Sequence, residues 1–317
     1  MRKFILMAVF SLLLIACLLS SHPSSKITVP HEEKWGIYSL NLDTQAVELL
    51  FSSPQQITTL RLNHAGDKFV FSQPVGGEDN TNEEIFTLDI DGQNLQRLTD
   101  NSYWDLYPAW SPDGGHIAFL SLRESDLDIY LMNADGSNTT RLFDSGTHDA
   151  DIDWMGSHIA FTANNRIWIM NDDGSDAHLI SEPPRAGEWG NANLPFGDYD
   201  PRIDPEGKMI VFERLVDDQS PHGNYDFYLM NIDGIYLTRL TDNGYSQGLA
   251  NWSHAGDQIV YTVAAIGDAG QYDIYVMNSN GTENRNITPE TFPQDFLCHS
   301  PTFSLDDSTI YFVGEWW

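Results

Sequence analysis

The amino-acid sequence predicts an all-β fold, a six-bladed β-propeller built from four-stranded antiparallel blades. Three observations lead to this prediction. A short strand-and-turn segment recurs six times, two further strands flank its copies, and successive copies are separated by roughly 40 to 50 residues. Repeats with that period are typical of propeller blades.

The recurring segment is a run of β-branched and aromatic residues that ends in an Asp-Gly or Asn-Gly turn. This pattern is typical of a strand that enters a hairpin, and a second strand follows each turn. The five clearest copies and a weaker sixth are IFTLDIDG (85–92), IYLMNADG (129–136), IWIMNDDG (167–174), FYLMNIDG (227–234), IYVMNSNG (274–281) and IYSLNLDT (37–44).

Two more strands are expected before each hairpin. A short strand with its turn, YPAWSPDGG (107–115), is followed by a nearly continuous apolar run, HIAFLS (116–121). Short apolar runs bounded by turn residues indicate strands that are covered on both faces. The repeating unit is therefore four antiparallel strands.

The two ends of the chain each supply half of a repeat. Residues 35–51 form a hairpin with no strand pair before it, and residues 298–314 form a strand pair with no hairpin after it. Joining the halves into one composite blade closes the ring and removes open sheet edges. This predicts that Trp35 lies near Trp316 and Trp317, whereas five blades with a loose half-blade would leave apolar strands unpaired.

The N-terminus has the pattern of an export signal. Arg2 and Lys3 precede an almost wholly apolar run that ends in Leu-Ile-Ala-Cys at 14–17. The run is short for a membrane span, and its end resembles the bacterial lipobox, in which the cysteine receives a diacylglycerol. We expect a signal peptide over 1–17, a polar tether over 18–34 and the propeller over 35–317. An ordinary cleaved signal and an uncleaved anchor are the alternatives, and all three place the propeller outside the cytoplasm.

The charge and the cysteines limit the function further. The formal net charge is −30 and the isoelectric point is about 4.3. This charge excludes nucleic-acid binding, which needs lysine and arginine to replace counterions. It favours cationic partners, or serves solubility alone. With only Cys17 and Cys298 there is no disulfide framework, and Cys298 is interpreted as a buried thiol rather than a nucleophile.

Several segments resemble the repeat of the TolB-type propeller family. They are PAWSPDGGHIAFLSLRESDLDIYLMNADG (108–136), WSHAGDQIVYTV (252–263) and LTRLTDNG (237–244), and the resemblance extends over about residues 35–317. It implies a periplasmic module that binds peptide or protein partners around its channel. The family also carries an α/β domain before its propeller, for which residues 18–34 leave no room.

The long connections all fall on one face of the predicted ring. They comprise residues 73–84, 181–200, 216–226 and 264–273, whereas the other face carries only tight turns. Binding residues concentrate on loops that a rigid scaffold holds. We therefore expect the loop-rich face to bind the ligand.

Acidic residues recur where the innermost strands begin on this face. Aligned on Trp110, Trp154 and Ile203, the residue five positions earlier is Asp105, Asp149 or Asp198, and the residue three positions earlier is Tyr107, Asp151 or Asp200. Such a rim favours a basic peptide. It could alternatively bind Ca²⁺ or another divalent cation through Asp105, Asp149 and Asp198, or the acids could only cap turns.

Histidines and aromatic residues complete the candidate site. His148 and His299 map near the channel mouth in different blades. Trp104, Trp189, Phe196, Tyr199 and Tyr245 lie in or beside the connecting loops of that face and could form a patch for a peptide or a sugar, or pack between blades.

These features predict a monomeric, non-catalytic module that binds a protein or peptide through its acidic channel face, with no cofactor required. The alternative is a metal-assisted hydrolase or lyase that acts on a sugar or peptide in the channel. Histidine and acid side chains that converge at the mouth would favour the enzyme.

Overall fold

The computed structural model describes residues 33–76, 82–217, 223–264, 272–293 and 295–316. Within these ranges the chain forms 24 β-strands in six four-stranded antiparallel sheets and no helix. It follows that none of the described residues belongs to a helix that could cross a membrane. Cys17, the signal peptide, nearly all of the tether and Trp317 lie outside the described residues.

The six sheets are the predicted blades. Blade 1 comprises β3 (Thr58–Leu62), β4 (Lys68–Val75), β5 (Asn82–Asp89) and β6 (Gln96–Arg97). Blade 2 comprises β7 (Asp105–Trp110), β8 (His116–Ser121), β9 (Asp128–Asn133) and β10 (Thr140–Phe143). Blade 3 comprises β11 (Asp149–Met155), β12 (His158–Ala163), β13 (Arg166–Asn171) and β14 (His178–Leu179).

The second half of the ring follows the same order. Blade 4 comprises β15 (Asp198–Ile203), β16 (Met209–Asp217), β17 (Asn224–Asn231) and β18 (Thr238–Arg239). Blade 5 comprises β19 (Ser246–Trp252), β20 (Gln258–Ala264), β21 (Tyr272–Asn278) and β22 (Arg285–Asn286). Blade 6 comprises β23 (Phe296–Phe303), β24 (Thr309–Trp316), β1 (Trp35–Asn41) and β2 (Val47–Ser53).

Blade 6 is the composite blade that the sequence predicts. Its strand order is β2-β1-β24-β23, and β1 pairs with β24 so that Trp35 lies opposite Glu315. The backbone N–H of Trp316 donates a hydrogen bond of 2.8 Å to the carbonyl of Lys34. The prediction that Trp35 lies next to Trp316 is therefore confirmed, whereas the part that concerns Trp317 falls outside the described residues.

Burial explains the nearly continuous apolar runs of the second strands. Four consecutive residues of β8, from Ile117 to Leu120, are fully buried, because neighbouring blades cover both faces of that strand. The fourth strands of blades 1 to 5 are short, and β6, β18 and β22 are exposed over their whole length. The hydrophobic core is consequently a series of layers between blades.

The hairpin turns pack against the preceding blade. Gly136, at the turn after β9, has a φ of +84°, and a Cβ atom there would lie 2.5 Å from the carbonyl oxygen of Leu98. Both the left-handed backbone and the close approach require glycine. The recurring Gly of the sequence motif therefore serves contacts between blades.

The first strand of each blade lies around the channel. Each first strand contacts the first strand of the next blade, and these contacts form a closed ring of six. All six first strands carry a register shift against their neighbours. This repeated irregularity positions the candidate site.

Candidate functional site

Two rings of side chains line the channel, and both arise from the irregularity in the first strands. In every blade one non-glycine residue at the shift has a φ between +50° and +59°. A β-bulge of this kind redirects the side chains of its strand. The first ring consists of these residues, Thr59, Tyr107, Asp151, Asp200, Leu249 and Ser300, and all six line one cavity.

The second ring lies two residues further along each strand. Its members are Arg61, Ala109, Asp153, Arg202, Asn251 and Thr302, and all six line a second cavity. The first cavity has a volume of about 110 Å³ and the second about 210 Å³. Leu194, from the loop 181–200, borders the first cavity, whereas the turn residues His64 and His254 border the second. The first cavity therefore belongs to the loop-rich face and the second to the tight-turn face.

Three acids dominate the cavity of the loop-rich face. Asp151 and Asp200 belong to the first ring, and Glu213 reaches the same cavity from β16. Burial, followed by the charges of Glu213 and Asp151, raises the pKa of Asp200 well above its usual value. Burial likewise raises the pKa values of Glu213 and Asp151. The cluster therefore keeps a proton at pH values at which exposed carboxyl groups are ionised, and the contact of Arg202 with Asp200 favours Glu213, whose pKa is about 8, as the group that carries it.

Acids of both cavities join neighbouring blades. Glu213 Oε1 accepts a hydrogen bond of 2.7 Å from the backbone N–H of Leu249 in the next blade. Asp153 Oδ2 accepts one of 2.8 Å from the N–H of Ile203. These bonds use only part of the acceptor capacity of each carboxyl group, which leaves oxygen lone pairs for a ligand.

The family follows from the comparison with known proteins. The TolB β-propeller domain matches residues 21–221, more than half of the 317 residues. The chain belongs to the TolB β-propeller family. It is 27% identical over 114 residues to the Tol-Pal system protein TolB of Desulfosudis oleivorans, in a match that covers 34% of this chain and 25% of that protein. The chain spans less than two thirds of the length of the curated relatives it matches first.

Solved structures share the fold at low sequence identity. The structure of a proposed TolB from Agrobacterium tumefaciens superimposes with a TM-score of 0.67 and 15% identity, and covers 90% of this chain and 98% of that chain. An oligogalacturonate lyase in complex with manganese superimposes with a TM-score of 0.57 and 12% identity, and covers 89% and 83%. At these identities the likeness concerns the fold alone.

The TolB-family fold separates the two sets of predicted rim residues. Tyr107, Asp151 and Asp200 line the loop-side cavity together. Asp105, Asp149 and Asp198 are completely buried and are not among the residues that line either cavity. The acids five positions before the reference residue therefore lie within the blades, and those three positions before it lie in the channel.

Local partners explain the burial of Asp105 and Asp198, two of the three acids of the first set. Asp198 accepts two hydrogen bonds from Arg214, of 2.6 and 2.8 Å. Asp105 accepts a hydrogen bond of 2.5 Å from Ser121 and pairs with Arg123 at 3.3 Å. Both acids thus connect the first two strands of their blades.

The residues of the predicted aromatic patch also lie in different surroundings. Phe196 and Tyr199 are buried in a small cluster beneath the loop 181–200, and Tyr199 also lines the loop-side cavity. Trp104 is half-buried and packs against the core between blades 2 and 3. Trp189 is 67% exposed, so it remains available to a partner.

The two histidines lie in different surroundings. His299 lines the loop-side cavity, and burial lowers its pKa to about 4, so the ring is neutral. Its Nε2 atom has no hydrogen-bond partner among the described residues. His148 lies outside both cavities, where its Nδ1 atom accepts a hydrogen bond of 2.9 Å from the N–H of Leu127.

Within the described ranges, one group of three acids is close enough to share a metal ion. Ligand atoms of Asp126, Asp128 and Asp144 all lie within 4.8 Å of one another. Arg141 pairs with Asp128 at 3.3 Å and with Asp144 at 3.2 Å. Blades 1 and 4 repeat this arginine between two acids, at Arg97 and Arg239. The group is thus a recurring arginine–carboxylate cluster between strands. It does not include Asp105, Asp149 or Asp198, although the charges of Asp128 and Asp144 contribute to the raised pKa of Asp149.

Sequence reasoning missed Glu213 and most of the second ring. In the alignment on Trp110, Trp154 and Ile203, the position just before the reference residue contains Asp153 and Arg202. The equivalent position of blade 1 contains Arg61. Glu213 lies on a second strand, so no comparison restricted to first strands could find it.

Proposed function

We propose that this TolB-family propeller is a non-catalytic module that binds a protein or peptide through the cavity of its loop-rich face. The observation that carries the proposal is the cluster of Asp151, Asp200 and Glu213, whose carboxyl groups share one cavity. A lysine or arginine side chain of the partner is the group that matches them, because the ion pair would form where water is scarce. A cavity of about 110 Å³ suits a single long side chain.

The raised pKa values predict that the affinity for a cationic partner depends on pH. Burial and mutual repulsion keep part of the cluster protonated near neutral pH. A bound cation favours the ionised carboxylates, so binding releases protons. Affinity should therefore rise as the pH rises from about 5 to about 8.

The test uses the full chain and an array of end-blocked peptides with one central lysine. Each peptide is paired with the same peptide carrying norleucine, which has no charge. Calorimetry in two buffers of different ionisation enthalpy measures both the affinity and the protons released. We expect saturable binding of lysine peptides alone, with proton release.

Two variants locate the binding. Asp151→Asn should weaken binding at least tenfold, whereas Asp172→Asn, which changes an exposed acid at the hairpin turn of blade 3, should leave it unchanged. Equal binding of lysine and norleucine peptides, or equal loss in both variants, would contradict the role of the acidic cavity.

We further propose that the module is exported and held at a membrane by a lipid on Cys17. The lipobox-like sequence at 14–17 supports this. In the producing bacterium, the protein should partition with membranes and incorporate a labelled fatty acid. Cys17→Ser should abolish both, and Cys298→Ser should abolish neither. Membrane association that persists in Cys17→Ser without label would indicate an uncleaved anchor instead.

One observation keeps the enzyme as a second candidate. Neutral His299 lines the same cavity as Asp200 and Glu213, so histidine and acids do converge. A metal-assisted hydrolase or lyase would need these side chains to hold the ion, although they do not form a group within 4.8 Å among the described residues. Thermal melting with Mn²⁺ tests this candidate. A saturable shift that His299→Asn removes would favour the enzyme, and no shift would exclude this ligand set.

A further inference from the structure

The two cavities of the channel meet at two arginines. Among the described residues, only Arg61 and Arg202 line both cavities. Both belong to the second ring, and both are buried, with 9% and 2% of their surface exposed. The junction of the channel is therefore positively charged, whereas the loop-side cavity above it is acidic.

The two arginines differ in what neutralises them. Arg202 forms an ion pair with Asp200 and donates a hydrogen bond of 2.7 Å to the carbonyl of Pro201. Arg61 donates one hydrogen bond of 3.1 Å, from Nη1 to Asn251 Oδ1. Its Nε atom is buried without an acceptor, and no acid of the described residues lies within 4.0 Å of its guanidinium nitrogens.

This situation is unusual among the buried arginines of the described chain. The three are Arg61, Arg202 and Arg214, and the other two each form an ion pair with an aspartate. An arginine cannot lose its proton to avoid burial of the charge. A buried, unpaired guanidinium therefore favours an anion that approaches from the cavity.

Three acids, Asp151, Asp153 and Asp200, interact with Arg61 through space, but none of them lies within 4.0 Å of its guanidinium nitrogens. Asp153 lines the same cavity and interacts with Arg61 through space, but its Oδ2 atom accepts the N–H of Ile203 at 2.8 Å. Asp151 Oδ2 accepts the N–H of Asp200 at 3.3 Å. Asp151 and Asp153 therefore make the electrostatic potential around Arg61 less positive, but neither accepts a hydrogen bond from its guanidinium group.

The walls of the second cavity indicate what accompanies the anion. Large aromatic side chains surround the approach to Arg61 from the tight-turn face, namely Trp110, Trp154, Trp252 and Phe303. Rings of this kind pack against apolar groups. With a volume of about 210 Å³, the cavity is the larger of the two.

We propose that Arg61 binds the carboxylate of a ligand that enters from the tight-turn face, with an apolar group of that ligand against the tryptophans. A guanidinium can hold a carboxylate through two parallel hydrogen bonds. A polypeptide C-terminus that ends in an apolar residue supplies this chemistry, and so does an acidic side chain beside an apolar one. This ligand enters from the opposite face to the lysine proposed above and uses a different residue, so either proposal can fail while the other stands.

The test titrates the full chain with three probes and follows tryptophan fluorescence and heat. The probes are N-acetylphenylalanine, its uncharged amide, and the end-blocked dipeptide amide N-acetyl-Phe-Glu-NH₂. We expect the first probe to bind saturably and its amide to bind at least tenfold more weakly. Binding of the dipeptide amide more tightly than the first probe would assign the site to side-chain carboxylates rather than to C-termini, and weaker binding would assign it to C-termini.

Variants separate binding from folding. Arg61→Met removes the charge at similar volume, and it should abolish binding without lowering the melting temperature, because the unpaired charge is lost with it. Arg285→Met, at an exposed position of β22, is the matched control and should bind normally. Equal binding of N-acetylphenylalanine and its amide, no saturable binding of either carboxylate probe, or undiminished binding by a folded Arg61→Met would each overturn the proposal.

Discussion

Glu213 Oε1 accepts the backbone N–H of Leu249 at 2.7 Å, so a buried acid of blade 4 holds the bulge of blade 5 in place. Leu249 has a φ of +59°, a conformation that costs a residue with a β-carbon of the order of 1–3 kcal/mol. The acid therefore does two things at once, since it stabilises a strained backbone and contributes a titratable carboxyl group to the channel.

Two substitutions at Glu213 should have different effects. Glu213→Gln keeps an oxygen acceptor for the Leu249 N–H. Its free energy of unfolding, measured with urea at neutral pH, should equal that of the natural protein. Glu213→Ala leaves that N–H without its partner and should lose about 1–3 kcal/mol. Equal losses in the two variants would show that the charge, rather than the hydrogen bond, stabilises the bulge.

The repeat pattern was sufficient to predict the blade number, the composite blade and the tight-turn face. Each of these depends on local periodicity, on turn residues and on the need to pair every apolar strand, and all of them can be read along one chain. The three-position offset also placed Tyr107, Asp151 and Asp200 in the channel, because every first strand carries the bulge at the same position.

The five-position offset did not lead to the channel, for a physical reason. Asp105 and Asp198 precede the bulge, in the regular part of the strand, where their side chains meet Ser121 and Arg214 of the neighbouring strand. The bulge turns the residue at the three-position offset into the channel in all six blades, and this left-handed residue is Thr, Tyr, Asp, Leu or Ser. The bulge therefore has no characteristic residue type by which a sequence could identify it. The net charge of −30 also gave no sign of Arg61 and Arg202 in the channel, because a sum over the chain does not indicate where the few cations lie.

Glu83 should make the stability of the propeller depend on pH. Burial raises its pKa to about 7, although Ser72 and Thr58 donate hydrogen bonds to its carboxyl group. Between the ordinary pKa of 4.5 and this value, the folded state binds more protons than the unfolded state. The free energy of unfolding should therefore fall as the pH rises through this window.

Glu83→Gln isolates the contribution of this residue. The amide cannot ionise, so the variant should gain up to about 3 kcal/mol relative to the natural protein between pH 4.5 and pH 7. Urea unfolding at several pH values measures the difference. Glu48→Gln, at an exposed position, should show none. A constant difference across the window would mean that Glu83 is already ionised in the folded protein.

The ion pair of Asp198 and Arg214 should matter for stability rather than for binding. Asp198→Ala leaves the Arg214 guanidinium buried without its anion, and we expect a loss of about 3–5 kcal/mol. The exposed pair of Arg185 and Glu188 offers the control, since Glu188→Ala should cost no more than about 1 kcal/mol. Urea midpoints measure both. A small loss for Asp198→Ala, together with weaker peptide binding, would return Asp198 to the binding site.

The hairpin glycines allow the backbone conformation to be separated from the contact between blades. Gly114 and Gly136 both have positive φ, of +69° and +84°, but a Cβ atom at Gly114 would meet nothing within 4 Å, whereas one at Gly136 would lie 2.5 Å from the Leu98 carbonyl oxygen. Gly114→Ala should therefore cost about 1 kcal/mol, the usual price of a left-handed alanine. Gly136→Ala should cost at least about 1–3 kcal/mol more, because blades 1 and 2 must move apart. Thermal unfolding of the two variants measures the difference, and equal melting temperatures would show that the turn can shift without disturbing the neighbouring blade.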